Sequence, residues 1–249
     1  MDIKNSVVLV TGANRGLGLA LVEALKQAGA AKVYAGARNP ASVKSEGVIP
    51  VALDVTSPDS IAAAAKACPD VTMVINNAGI ARGGVLLSDT GEQALREEMD
   101  TNFYGPLRVS HAFAPVLAKN GGGALVNVLS VLSWISIPGT ATYCVSKAAA
   151  WSLTNGLRNE LREQGTQVVG VHLGLMDTDM AAGFDAPKIS PKDVAAQIVQ
   201  VVQAGGLEVL ADDTSRAVKA SLSSPDKAAY LAPPASGWAP TKVCSKARA

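Results

Sequence analysis

Tyr143 and Lys147 stand four residues apart in a segment whose pattern predicts a helix. Residues at positions i and i+4 of a helix share one face, so the phenol and the ammonium group are expected to lie side by side. A free tyrosine ionises at about pH 10, too high for proton transfer at neutral pH. A neighbouring ammonium group stabilises the phenolate and lowers that pKa. The pair is therefore a candidate for acid–base catalysis, although this spacing is also common on ordinary helix surfaces.

Three further polar features accompany the pair. Ser130 ends a strand-like run, Asn102 lies in a long helical pattern, and residues 76–79 (Asn-Asn-Ala-Gly) end another strand-like run. Parallel α/β sheets place their ligand contacts at the carboxyl ends of strands. The polar residues at the strand ends are therefore expected to line one crevice with the tyrosine.

A glycine-rich turn follows the first strand-like run. Residues 11–18 have the sequence Thr-Gly-Ala-Asn-Arg-Gly-Leu-Gly, and a helical pattern follows at once. Glycines let the backbone approach a pyrophosphate closely, and the helix N-terminus offers free N–H groups to that anion. The spacing differs from G-x-G-x-x-G, and a tight strand–helix connection is the simpler alternative. Its position on the first strand favours dinucleotide binding.

Two arginines bear on the type of dinucleotide. Arg38 lies about 20 positions after the turn, where an acidic residue would favour a free ribose 2′-hydroxyl and an arginine a 2′-phosphate. Arg15 lies within the turn itself. A guanidinium group matches phosphate geometry through paired hydrogen bonds. NADP(H) is therefore favoured over NAD(H), the alternative being two solvated surface arginines.

The elements that must position these residues form an alternating pattern. Short Val-, Ile- and Leu-rich runs predict buried parallel strands, and the segments between them predict helices. The fold class is α/β, a single doubly wound parallel sheet of about seven strands with helices on both faces. The strands are predicted at 6–10, 32–36, 48–53, 71–75, 124–129, 167–173 and 207–210, and the helices at 17–28, 57–67, 89–119, 140–163 and 191–204.

Length and composition indicate one domain. The chain has 249 residues, of which 48% are hydrophobic and 17% charged. We predict a domain over residues 1–232 and a loosely packed tail over 233–249. The net charge of +1 argues against a dedicated nucleic-acid or membrane-surface protein.

The cysteines and the apolar runs bear on compartment. Cys68, Cys144 and Cys244 are scattered without metal-ligand spacing, which is typical of unpaired thiols in a reducing cytosol. No signal peptide is apparent, and polar residues interrupt the longest apolar stretch, so no membrane span is expected. A cytoplasmic protein without a metal site is predicted. His111 and His172 lack a partner motif and are expected to be structural.

Together these motifs resemble the short-chain dehydrogenase/reductase family, over about residues 6–210. The resemblance implies a single Rossmann-type domain. Tyr143 would act as the general acid in reduction and the base in oxidation. Lys147 would hold the nicotinamide ribose and lower the tyrosine pKa, Ser130 would bind the substrate oxygen, and Asn102 would position a water linking Lys147 to solvent.

The resemblance also implies the binding residues. Leu173 stands where the family usually has proline, while Gly174 is retained. Leu132, Trp134 and Leu175 would border the substrate with Ser130 and Tyr143, although ordinary packing is an alternative for these apolar residues. The cofactor residues, besides Tyr143 and Lys147, would be Gly12, Asn14, Arg15, Gly16, Leu17, Gly18, Arg38, Asp54, Val55, Asn76, Ala78, Gly79, Gly174 and Thr178.

The predicted function is an NADPH-dependent carbonyl reductase or alcohol dehydrogenase acting on a ketone, an aldehyde or a secondary alcohol. One alternative is a sensor or scaffold that binds NADP(H) without turnover, although such proteins usually lose the tyrosine or the lysine. Another is a lyase or isomerase on the same scaffold. Family members commonly pack their two long helices together, so a homodimer or homotetramer is expected. No nucleic-acid or membrane partner is expected.

Overall fold

Seven parallel strands form one sheet. The computed structural model describes residues 1–224 and 227–231. The strands are β1 Val7–Thr11, β2 Lys32–Ala37, β3 Ile49–Ala52, β4 Met73–Asn76, β5 Ala124–Val128, β6 Gln167–His172 and β7 Glu208–Leu210. Their order in the sheet is β3-β2-β1-β4-β5-β6-β7, which confirms the doubly wound α/β fold predicted from the alternating pattern.

Helices cover both faces of the sheet, and each face has its own core. Alternate residues of β1 point to opposite sides, Val8 and Val10 into one cluster and Leu9 into the other. One cluster packs α1 and α6 on the sheet, and the other packs α2, α4 and α5. The helices are α1 Gly16–Gln27, α2 Pro58–Ala67, α3 Gly91–Met99, α4 Gly105–Lys119, α5 Ala141–Glu160, α6 Pro191–Gln203 and α7 Asp213–Ser221.

The long helix predicted over 89–119 is interrupted. A π-helical turn, Asp100–Tyr104, separates α3 from α4 and contains Asn102. Such a turn inserts one extra residue without ending the helix, and apolar periodicity does not reveal it. The predicted long helical stretch is therefore found over residues 91–119, but the π-helical turn nearest the site was not predicted.

Helix α7 was not predicted from the sequence. It begins at a capping box in which Asp212 accepts from the Ser215 backbone N–H and the Ser215 hydroxyl returns to the Asp212 backbone. Its apolar content is too low for a clear periodic stripe. The predicted tail over 233–249, Cys244 within it, and the end of the predicted domain at residue 232 lie outside the described residues. None of the described helices is both long enough and apolar enough to cross a membrane.

The order of the strands opens a crevice at the carboxyl edge. Strand β1 lies between β2 and β4, so the strand order reverses direction at β1. The crevice at such a reversal is the usual ligand position in these sheets. The hydroxyl of Thr11 accepts from the backbone N–H groups of Asn77 and Ala78, at 3.0 and 2.9 Å. The Asn77 side chain in turn donates to the Thr11 carbonyl at 2.9 Å. These bonds tie the glycine-rich turn to the segment after β4.

His172 is fully buried at the end of β6. Its Nδ1 lies 3.1 Å from the Ser130 carbonyl oxygen, and its ring stacks on Trp134 with centroids 3.8 Å apart. Its Nε2 lies 3.7 Å from a Glu208 carboxylate oxygen, which also accepts from Lys219. The other histidine, His111, is exposed on α4. Burial lowers the pKa of His172 to about 4, so the ring is neutral at neutral pH.

This lowered pKa predicts an acid-sensitive fold. Below about pH 6.5 the unfolded histidine binds a proton that the folded ring does not take up until about pH 4, so stability is lost over that window. His172→Gln removes the titrating group and should reduce the stability lost between about pH 7.5 and 5 by about 2 kcal/mol. Urea unfolding of both proteins at the two pH values tests this. An equal loss in the two proteins would contradict it.

Candidate active site

A cavity of about 1020 Å³ runs along the carboxyl edge of the sheet. It extends from the glycine-rich turn, past the ends of β4 and β5, to the segment after β6. Most of the predicted site residues line it. These are Gly12, Asn14, Arg15, Gly16, Leu17, Arg38, Asp54, Val55, Ala78, Gly79, Ser130, Leu132, Tyr143, Lys147, Gly174, Leu175 and Thr178.

The glycine-rich turn has the geometry of a cradle for a phosphate. Gly12 and Gly16 have φ angles of +64° and +55°, which disfavour other residues. A Cβ at Gly18 would overlap the Gly12 carbonyl oxygen, so the third glycine permits the close packing of helix on turn. The N-terminus of α1 then points into the cavity beside Gly16 and Leu17. These residues fit the pyrophosphate of a dinucleotide.

The charged residues of this end lie where the adenosine ribose is expected. Arg15 and Arg38 both line the cavity. Arg15 forms an exposed ion pair with Asp179 at 2.8 Å. The Asp54 carboxylate accepts from the Thr56 hydroxyl at 2.7 Å and from its backbone N–H at 2.9 Å. These two bonds, and more weakly the charge of Arg38, lower the pKa of Asp54 and keep it ionised.

Lys147, the predicted partner of Tyr143, is a buried lysine. Its side chain is 5% exposed, and Nζ donates to the Val128 carbonyl oxygen at the end of β5, 2.9 Å away. Burial lowers the pKa of Lys147 to about 8. Its Nζ lies 5.7 Å from the centroid of the Tyr143 ring, so the predicted pair does share one face of α5.

Tyr143 is partly buried and faces the cavity. Burial raises its pKa above the ordinary value, more strongly than the hydrogen bond with the Ser130 hydroxyl lowers it. The lowering of this pKa that was predicted from Lys147 is not found: burial is the largest effect on the phenol, and Lys147 is not among the groups that shift its pKa. The phenol is protonated at neutral pH, which is the form that can donate a proton.

Ser130 is held at the end of β5 by both its side chain and its backbone. It is 6% exposed, and its hydroxyl oxygen accepts from the Leu132 backbone N–H at 3.1 Å. Its carbonyl oxygen faces His172, as described above. The Ser130 hydroxyl lies close enough to the Tyr143 phenol to lower the pKa of the phenol, so the two hydroxyls approach each other at the cavity surface. Two converging O–H groups are suited to a carbonyl or alkoxide oxygen.

Asn102 and Asn76 support the site from behind and do not line the cavity. The Asn102 side chain accepts from the Ile80 N–H and donates to the Ile80 carbonyl, both at 2.9 Å, and also donates to the Ser146 hydroxyl at 3.0 Å. The Asn76 side chain donates to Asn127 at 2.9 Å. A Cβ at Gly79 would lie 3.2 Å from the Asn102 amide oxygen and 3.8 Å from Lys147 Nζ. Gly79 therefore lies against both the Asn102 and the Lys147 side chains. The role predicted for Asn102, positioning a water that links Lys147 to solvent, stays a prediction.

The predicted substrate residues divide into two groups. Leu132 and Leu175 line the cavity, but Trp134 does not, because its ring stacks on His172 and packs edge-on against Trp151. The sequence does not reveal which way the Trp134 ring points, because a short helical turn after Ser130 sets the direction of the chain there. The structure adds cavity residues that were not predicted because no local motif marks them. These include Ile80, Ala81, Arg82, Ile137, Met180 and Phe184.

The segment after β6 is fixed in spite of the missing proline. The Asp212 carboxylate at the start of α7 accepts from the Gly174 backbone N–H at 2.6 Å. Ile189 pairs with Leu175 and Asp177 through backbone hydrogen bonds of 2.9 and 3.0 Å. Across residues 1–224 and 227–231, no group of three or more His, Cys, Asp or Glu side chains is arranged to hold a metal ion.

Known proteins are similar to this chain over most of its length. The family model for short chain dehydrogenases matches residues 6–188. The 3-oxoacyl-[acyl-carrier-protein] reductase of Vibrio cholerae is 33% identical over 194 residues, which are 74% of this chain and 79% of that protein. A short chain dehydrogenase from Burkholderia cenocepacia, solved in complex with NADP, is 37% identical with a TM-score of 0.89, covering 93% of this chain and 98% of that one.

A more distant structure shares the fold alone. The gluconate 5-dehydrogenase of Burkholderia cenocepacia, solved with NADP and tartrate, is 23% identical with a TM-score of 0.78, and the match covers 85% of this chain and 94% of that one. The family match extends over the glycine-rich turn, the asparagine, the serine and the Tyr-x-x-x-Lys pair. The family predicted from these motifs is confirmed: the chain belongs to the short chain dehydrogenases, a family of oxidoreductases that use a nicotinamide cofactor.

Proposed function

We propose that the protein is an NADPH-dependent carbonyl reductase, or an alcohol dehydrogenase in the reverse direction, acting on a ketone, an aldehyde or a secondary alcohol. The observation that carries this proposal is the convergence of the Tyr143 phenol and the Ser130 hydroxyl on the cavity surface, with the buried Lys147 beside them. The glycine-rich turn occupies the other end of the same cavity.

The proton chemistry follows from the environments of these groups. The nicotinamide, when bound, supplies the hydride to the carbonyl carbon. Ser130 and Tyr143 hydrogen-bond the carbonyl oxygen, where negative charge develops, and Tyr143 transfers its proton to that oxygen. The phenol is protonated at neutral pH, which is the form that donates a proton to the developing alkoxide. Lys147 holds the nicotinamide ribose.

The preference for NADPH is supported by charge. Arg15 and Arg38 both line the end of the cavity beside the glycine-rich turn, and the second strand ends without an acidic residue. The Burkholderia cenocepacia relative was solved with NADP. Two guanidinium groups would hold a 2′-phosphate, whereas a free 2′-hydroxyl offers no negative charge to either of them.

The substrate end of the cavity favours an apolar carbonyl compound. Its walls include Leu132, Ile137, Leu175, Met180 and Phe184. This lining supports an apolar carbonyl compound over a sugar acid, which would require several polar partners.

The competing functions receive less support. A sensor without turnover would not require Tyr143, Ser130 and Lys147 to meet at one surface. A lyase or isomerase would produce no net oxidation of the cofactor. We also propose a cytoplasmic homodimer or homotetramer. The described cysteines, Cys68 and Cys144, are buried and unpaired, as suits a reducing compartment.

Oxidation of NADPH in the presence of a panel of aldehydes, aryl ketones, diketones and cyclic ketones tests the proposal. We expect turnover with at least one class, and a loss of about 100-fold or more in kcat for Tyr143→Phe, because the proton donor is removed. The Kd for NADPH serves as the control and should be little changed. NADPH binding without turnover across the panel would contradict the proposal and favour the sensor.

A second prediction concerns the ion pair between Arg15 and Asp179. A 2′-phosphate must compete with Asp179 for Arg15, whereas NADH lacks that group. Asp179→Asn should therefore tighten NADPH binding by about two- to fivefold, the range expected for an exposed ion pair, and leave NADH binding nearly unchanged. Isothermal titration of both cofactors measures this.

Asp177→Asn is the matched control, since it makes the same charge change two residues away without touching the ion pair. Equal effects of the two substitutions on NADPH binding would contradict a specific competition. Weaker NADPH binding in Asp179→Asn would also contradict it, because Asp179 would then support Arg15.

A further inference from the structure

A carboxyl group is buried beside the active site without a role in the proton chemistry described above. Glu98, in the last turn of α3, is 0% exposed. One carboxyl oxygen accepts from the backbone N–H of Arg82 at 2.7 Å and from that of Gly83 at 3.3 Å. The other carboxyl oxygen is buried without a hydrogen-bond partner of good geometry. Burial raises the pKa of this carboxyl.

Thr142 on α5 lies close enough to this carboxyl to lower its pKa, although by less than burial raises it. Thr142 is also 0% exposed, and its hydroxyl, like the second carboxyl oxygen of Glu98, has no hydrogen-bond partner among the described residues. Buried polar groups without partners are costly, so a facing pair of them marks a contact that the fold maintains. The Glu98–Thr142 pair thus joins α3 to the first turn of α5.

The same arrangement recurs one helical turn further along. Asn102 holds both backbone groups of Ile80 and donates to Ser146 on α5, as described above. Glu98 and Asn102 are four residues apart, and so are Thr142 and Ser146. Two contacts, Glu98–Thr142 and Asn102–Ser146, therefore join the same two helical segments.

Each contact has the same consequence for the catalytic pair. The residue that follows Thr142 is Tyr143, and the residue that follows Ser146 is Lys147. Glu98 and Asn102 also bind the backbone of segment 80–83, which lines the cavity. Asn102 fixes its first residue, and Glu98 fixes its last two. The loop that forms this cavity wall and the helix that carries the acid–base pair are therefore held by the same two side chains.

Packing beyond the loop leaves little room for adjustment. A Cβ at Gly84 would lie 3.1 Å from the Thr142 hydroxyl oxygen, and the Gly84 carbonyl faces the Thr142 N–H at 3.5 Å. The Arg82 side chain, in contrast, points outwards and pairs with Glu97 at 2.7 Å on the protein surface. Glu97 therefore binds the side chain of Arg82, whereas Glu98 binds the backbone of Arg82.

We propose that Glu98 is a positioning residue for the reaction: by accepting from the N–H groups of residues 82 and 83, it fixes the cavity wall formed by residues 80–83 against the start of α5, and so sets where the substrate lies relative to Tyr143. The inference rests on the proposed reductase function. An apolar residue at this position would leave both N–H groups without an acceptor. What the position requires is acceptor geometry and not negative charge.

Two substitutions separate geometry from charge. Glu98→Gln removes the charge but keeps an acceptor oxygen at the same reach and adds a donor for Thr142. Glu98→Asp keeps the charge but withdraws the oxygens by one methylene group. We expect Glu98→Gln to retain KM and kcat within about twofold, and Glu98→Asp to raise the KM for the carbonyl substrate by about fivefold or more, with kcat less affected.

Two further readouts accompany the kinetics. Hydrogen exchange in a peptide covering residues 80–84 should be faster in Glu98→Asp and unchanged in Glu98→Gln, because the two N–H groups lose their acceptor only in the former. The Kd for NADPH should stay within about twofold in both, since the glycine-rich turn bonds to residues 77 and 78 and not to the two N–H groups that Glu98 holds. Glu97→Gln and Glu97→Asp are the matched controls and should match the wild type in exchange and KM.

Several outcomes would overturn the proposal. Glu98→Gln could be as damaging as Glu98→Asp, which would assign the role to charge. Glu98→Asp could leave KM and exchange unchanged, or it could weaken NADPH binding as much as substrate binding, which would indicate a general effect on folding. The hydrogen-exchange result does not depend on turnover, so failure of the proposed function would be seen separately, as a wild-type protein that reduces no substrate.

Discussion

The burial of one ammonium group, that of Lys147, constrains the rest of the site. A charged side chain that is 5% exposed requires a compensating partner, and the Val128 carbonyl oxygen at the end of β5 is the one it contacts. That contact exists only because α5 crosses the sheet where β5 ends. The contact between Lys147 and Val128 therefore depends on the position of α5 and on the strand order, which also forms the crevice beside β1 and β4. The lowered pKa of Lys147, about 8, reflects the free-energy cost of keeping the charge in this place.

The supporting contacts come from segments that are distant in sequence. Glu98 reaches the loop after β4 from the end of α3, and Asn102 reaches it from the π-helical turn. Asp212 reaches Gly174 from the start of α7. These contacts use backbone N–H groups of loops that line the cavity, so they hold the walls without occupying the space. The side chains that face the cavity remain free to meet cofactor and substrate.

The predictions that succeeded rest on local physics. The glycine-rich turn requires positive φ at Gly12, which few other residues tolerate, and the Tyr143–Lys147 spacing follows from helix geometry alone. Strands buried on both faces appear in the sequence as continuous apolar runs. The failures depend on contacts between distant segments. Trp134 turns towards His172, and burial raises the pKa of the Tyr143 phenol, neither of which a linear sequence displays.

Transfer of deuterium from NADPH labelled at C4 of the nicotinamide tests the central claim most directly. With a substrate that the protein reduces, mass spectrometry of the alcohol and of the recovered cofactor follows the label. The account predicts that one of the two C4-deuterated epimers delivers its label to the carbinol carbon, with the hydroxyl proton coming from solvent by way of Tyr143. An alcohol that is unlabelled with both epimers, or label that stays entirely on the cofactor while substrate is consumed, would contradict hydride transfer at this site.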